Sequence, residues 1–124
     1  MTTPSERVRA LHLGSELLVC IHADAAVAPQ SRELAAALID RFPNCQKWSA
    51  HTEVQPLPPS LAETEVIFEA GVLFESLAGV GRMGSETANL WRTVMRHYPG
   101  SKDGCRSPEQ VWRLFRQDPF GRLT

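Results

Sequence analysis

Cys20, His22 and Asp24 bring a thiol, an imidazole and a carboxylate within a few residues of one another, a set that binds zinc when a fourth ligand converges on it. His51 or Cys45 would have to be that ligand. Alternate spacing at the end of a helix is not a recognised ligand pattern. The plainer reading is a buried Cys20 and an exposed His22 at the negative end of a helix dipole. His97 and Arg41 occupy matching helix ends, where a cation is favoured in the same way. His12 has Glu16 four residues away as a carboxylate neighbour, which makes a helical pair rather than a general base. The run Gly79-Val80-Gly81-Arg82-Met83-Gly84 spells G-x-G-x-x-G, but it joins two helices and lacks the preceding strand that a dinucleotide cradle requires. No nucleophile has an identifiable base. The residues therefore predict no metal, no cofactor and no catalytic residue; an enzyme alternative would have to run through Cys20.

The elements that would position such groups follow from length and composition. A chain of 124 residues, 43% hydrophobic and 22% charged, predicts one globular domain over 1–124. A formal net charge of −1 argues against a general phosphate-neutralising coat. Cys20, Cys45 and Cys105 are odd in number and never form a C-x-x-C pair, so reduced thiols and a cytoplasmic location are expected. No apolar run approaches a membrane span and no export signal is recognisable at the start, so no membrane partner is expected.

The periodicity is helical throughout. Thr3-Pro4-Ser5-Glu6 has a capping hydroxyl three residues before a glutamate and proline at the first helical position. The helix it opens runs to about His22, with Ala10, Leu11, Leu13, Leu17, Leu18 and Ile21 on one side. A second helix, from about Pro29 to Arg41, carries Leu34, Leu38 and Phe42 and stops at Pro43. Residues 44–59 are polar and proline-stiffened and predict a linker between two hairpins, 3–43 and 60–99. Ser60-Leu61-Ala62-Glu63 repeats the capping signature and opens a third helix to about Ala78, ended by Gly79 and Gly81. A fourth, from Gly84 or Ser85 to His97, has Leu90, Trp91, Val94 and Met95 as its apolar side. A short fifth helix lies within 107–117.

The two hairpins align with one another. At an offset of 57, Thr3 meets Ser60, Gly14 meets Gly71 and Leu17 meets Phe74; at 56, Leu38 meets Val94, Phe42 meets Tyr98 and Pro43 meets Pro99. The expected fold class is all-α, a compact bundle of two pseudo-repeated helical hairpins plus a short C-terminal helix.

The third helix has two apolar faces. Val66, Ile67, Ala70, Leu73, Phe74 and Leu77 form a core arc, while Leu61, Phe68 and Val72 lie nearly opposite, among Glu65, Glu69 and Glu75. A helix apolar on two sides is either sandwiched in its own domain or buried against another chain. Leu61, Glu65, Phe68, Glu69 and Val72 are therefore the candidate partner-binding residues, with Trp112 and Phe115 as aromatic anchors on the last helix. Charge is segregated as well: residues from Arg92 onward carry a local +4 and the rest a local −5. A nucleic-acid module would use Arg113, Arg116 and Arg122 on phosphates, but Val111, Trp112, Leu114 and Phe115 suit a hydrophobic groove better.

The first 43 residues carry a resemblance. Pro4-Ser5-Glu6-Arg7-Val8-Arg9-Ala10, then Glu16-Leu17-Leu18, then Leu38-Ile39-Asp40-Arg41-Phe42-Pro43 are similar to a family of short uncharacterised proteobacterial helical proteins that open Pro-x-Glu-Arg-Thr-Arg-Ala and close the hairpin with Arg-His-Tyr-Pro. Arg96-His97-Tyr98-Pro99 resembles that closing motif. Val8 stands where the family has threonine, and Gly14-Ser15 where it has Thr-Arg. That resemblance implies no activity. In size, helical make-up and apolar-plus-acidic surface the chain also resembles small quorum-sensing anti-activators of the QslA type, with no shared motif. Those proteins bind a transcription factor and block its dimerisation. The expectation is thus a non-enzymatic, cytoplasmic regulatory protein that inhibits a protein partner, a transcriptional regulator, and forms a homodimer.

Overall fold

The computed structural model describes residues 4–43, 59–80 and 82–117. They form five α-helices, α1 (Pro4–Ala23), α2 (Pro29–Arg41), α3 (Leu61–Val80), α4 (Ser85–Met95) and α5 (Pro108–Gln117), with a 3₁₀ turn at Ser101–Asp103 and no strand among the described residues. The expected capping hydroxyl Thr3, nearly all of the 44–59 linker and Arg122 lie outside that range. The second capping box is formed as its sequence requires: Glu63 N donates to Ser60 Oγ at 3.2 Å, and Ser60 N donates to Glu63 Oε1 at 2.9 Å. Gly79 does not stop α3, which continues to Val80, because a single glycine weakens a helix without breaking it.

The chain folds as an all-α bundle. α1 packs along α2 and α4, α2 also lies on α3, and α5 covers a further side of α3. The buried stripe of α1 consists of Val8, Ala10, Leu11, Leu17, Leu18 and Ile21, and that of α3 of the six residues of its core arc. The centre is built on Tyr98, whose ring stands between two helices at their glycines. A Cβ on Gly14 would come within 2.9 Å of Tyr98 Cε2, and one on Gly71 within 3.1 Å of Cε1. Phe74 meets the ring edge-on, with centroids 5.1 Å apart and planes at 79°. The buried hydroxyl donates to Ile67 O at 2.7 Å. Gly14 and Gly71 are the glycines matched between the two hairpins, so both pseudo-repeats meet on the tyrosine that closes the second.

Two polar clamps fix the connections. Asp24, just past α1, accepts from Gly84 N at 2.7 Å and Ala26 N at 2.9 Å, tying the end of α1 to the entry of α4. Glu75 on α3 accepts from Ser101 N at 2.9 Å and Ser101 Oγ at 2.6 Å. Between α4 and α5 the chain reverses at Gly104, whose φ of 78° lies in the left-handed region that glycine takes without a Cβ penalty.

Candidate partner-binding groove

α2 and α3 lie side by side, and on their outer side they leave a groove of about 460 Å³. One wall is Leu34, Ala37, Leu38 and Arg41, a stripe at the three- and four-residue spacing of a helix face. The facing wall includes Phe68, Glu69, Val72 and Leu73. Val72 is 51% exposed and Leu34 55%, while Leu38 and Leu73, 4% exposed each, make the floor. Arg41 closes one end, donating from Nη2 to Glu69 Oε2 at 2.9 Å and from Nη1 to Oε1 at 3.3 Å. That hydrogen-bonded carboxylate, with Glu65 adding to its field, pushes the arginine's already high pKa further up, so the guanidinium stays charged. Glu65 and Glu69 together outnumber Arg41, which leaves this end of the groove acidic.

The candidates named from sequence thus separate. Phe68, Glu69 and Val72 come together on one groove wall. Leu61, 55% exposed, and Glu65, also exposed, continue the stripe towards the start of α3 without lining the groove. Trp112 is half-buried under the guanidinium of Arg116, 4.1 Å from the ring centroid. Phe115 is corrected: it is 0% exposed, held in the core with Val111, and is no surface anchor. Its position four residues after Val111 puts both on the face of α5 that meets α3, and the strong amphipathicity of α5 is consumed inside the chain.

The opposite groove wall was not foreseen. Leu34 shares its helical spacing with Leu38 and Phe42 but stands outside the buried seam of α2, which runs through Ala35 and Leu38. The three alanines 35–37 carry the missed signal, since small side chains on two sides of a helix permit close approach on one and a hollow on the other.

The chemistry-bearing residues remain dispersed. No cluster of three or more His, Cys, Asp or Glu suited to a metal exists among the described residues. Asp24 is engaged by backbone amides, chiefly that of Gly84, which hold its carboxyl below the usual range. Burial, then the carboxylates of Glu86, Glu16 and Asp24, pushes the Cys20 thiol up, the opposite of what a nucleophile needs. On the basic C-terminal helix, Arg116 Nη1 donates to Pro59 O at 2.8 Å and Arg113 pairs with Glu109, so the two of the three proposed phosphate contacts that lie among the described residues are engaged within the chain. No described helix is long and apolar enough to cross a membrane.

A smaller cleft of about 200 Å³ opens between α1 and the end of α4, lined by Glu6, Arg9, Ala10, Leu13, Thr93, Arg96 and His97. Comparison of the chain with protein-family models, curated proteins and solved structures gives no match.

Proposed function

We propose that this chain is a non-enzymatic regulatory protein that acts by stoichiometric binding, its α2–α3 groove receiving an amphipathic helix of a partner protein. The observation that carries this reading is the apolar groove itself, with Leu34 and Val72 half-exposed on its two rims. Grooves between helices take a partner helix through anchors at i, i+3, i+4 and i+7. The chain supplies an internal precedent: α5, a short amphipathic helix bearing arginines, already covers another side of α3 through Val111 and Phe115. The acidic end of the groove favours an occupant with a basic residue at the corresponding end. The resemblance to quorum-sensing anti-activators supplies the partner class, a transcriptional regulator whose dimerisation helix is withheld from its own partner. In the absence of that partner the same apolar rim pairs with a second copy, making a homodimer.

The test combines mass and binding. Light scattering across protein concentration reads the oligomeric state, and fluorescence anisotropy reads binding of a labelled amphipathic peptide with leucines at i, i+3, i+4 and i+7 and lysines at one end. The Phe68→Glu, Val72→Glu variant is expected to stay folded by circular dichroism, to be monomeric and to lose the peptide. A wild type that neither self-associates nor binds the peptide, or a variant that binds it unchanged, would sink the reading.

A further inference from the structure

We infer that the cleft between α1 and the end of α4 is a binding site for a small dianion of the phosphomonoester class. It is formed by two helix faces brought together only by folding. Glu6, Arg9, Ala10 and Leu13 repeat at helical spacing along α1. Thr93, Arg96 and His97 do the same on the other side, because Arg96 keeps helical φ and ψ of −63° and −37° past the last residue of α4. Two stretches that stood apart in the sequence, Glu6 to Ala10 and Arg96-His97, thus become one site.

The charge distribution inside the cleft points to the ligand. Its carboxylate, Glu6, is turned to the imidazole, with Oε2 3.2 Å from His97 Nε2. Neither Arg9 nor Arg96 has an ion-pair or hydrogen-bond partner among the described residues. Arg9 and Arg96 are exposed cations on the two walls of one cleft, whose lining also includes the buried Ala10 and half-buried Leu13. A tetrahedral oxyanion accepts from arginines in the forked geometry that guanidinium offers. The chain as a whole carries a net charge of −1, so this pair is a local feature rather than one part of a basic coat. A cleft of about 200 Å³ takes a single phosphoryl group with a small substituent, whereas an extended nucleic-acid backbone needs a row of cations. A monoester presents three terminal oxygens to the two guanidinium forks where a diester presents two, which selects the monoester over the diester. The site shares no residue with the α2–α3 groove, so either proposal can fail without the other.

Isothermal titration calorimetry of the full chain in phosphate-free buffer tests it, with inorganic phosphate and phenyl phosphate as dianions and dimethyl phosphate as the monoanion. Arg9 and Arg96 are exposed, so Arg9→Gln and Arg96→Gln are expected to keep the wild-type circular dichroism and Tm. Arg82→Gln, exposed and outside the cleft, is the charge-matched control. The expected result is saturable one-to-one binding of both dianions, weakened about tenfold by each cleft variant through the loss of a charge-assisted hydrogen bond and unchanged by the control. Absence of saturable binding of either dianion, equal loss in Arg82→Gln, or dimethyl phosphate binding as tightly as phenyl phosphate would overturn the inference.

Discussion

Val72 and Leu73 are neighbours on α3 with opposite fates: the first is 51% exposed on the groove rim, the second 4% exposed on its floor. The same division runs along the whole helix, with Val66, Ile67, Ala70, Phe74 and Leu77 buried on one side and Leu61 and Val72 exposed on the other. Hydrophobicity alone does not distinguish the two faces, since a valine on either is equally costly to leave in water. What distinguishes them is how many elements are present to cover them. α3 receives α2 and α5 and meets α1 and Tyr98, and those neighbours do not reach the rim that Val72 occupies. A helix with more apolar surface than its own domain covers has the composition of an interface.

The buried face should show the largest effects. Tyr98→Ala removes a ring packed against Gly14, Gly71 and Phe74, together with the hydrogen bond to Ile67 O, and is expected to cost about 3–5 kcal/mol in urea unfolding. Tyr98→Phe keeps the ring and should cost only about 1 kcal/mol. Equal losses in the two variants would mean that the hydroxyl, not the packing, holds the two pseudo-repeats together.

Cys105 extends the contrast to pH. It is 3% exposed, and burial pushes its thiol from the ordinary 9.0 up to about 11. The native state therefore holds the proton longer than the unfolded chain does. Stability is full below the unfolded pKa and declines as pH rises from about 9 towards 11, by about 2 kcal/mol for this group. Unfolding of wild type and Cys105→Ala across that window checks it, with the variant expected to fall less steeply. Parallel curves would assign the alkaline loss to other groups.

A smaller effect belongs to the clamp at Asp24, whose folded pKa is depressed, chiefly by the Gly84 amide. Its contribution is present above the unfolded value near 3.8 and is lost as pH falls through the lower folded value. Asp24→Ala is expected to cost about 1–2 kcal/mol at neutral pH and to flatten the acid limb of the stability curve. An unchanged acid limb would show that the amides of Gly84 and Ala26 find water as readily as the carboxylate.

Much of this was legible because it is local. The buried arcs of α1 and α3 follow directly from helical spacing, and the boundaries of α2 follow from Pro29 and Pro43. The alignment of Gly14 with Gly71 and of Phe42 with Tyr98 signalled an internal symmetry, but not that a single tyrosine would lie between the two glycines. Contacts between elements far apart in sequence carry no periodicity of their own. Hence helical spacing does not separate the exposed Leu34 from the buried Leu38, and it puts Phe115 on the surface, the reverse of its place in the core. For the same reason nothing local in the sequence puts Arg9 and Arg96 on the walls of one cleft.

The smallest effect on stability is also the most discriminating. Leu34→Ser and Val72→Ser truncate half-exposed side chains on opposite rims of an open groove, and each should change folding stability by no more than about 0.5 kcal/mol. Across about 460 Å³ of open space the two side chains have little to exchange in the free protein, so their effects on unfolding should add. Binding is different, because a helix seated between the rims touches both. The amphipathic peptide should therefore report a coupling of about 0.5–1 kcal/mol between the same two substitutions. Coupling in folding but not in binding would mean that the rims close on each other, making the second face of α3 part of the core after all.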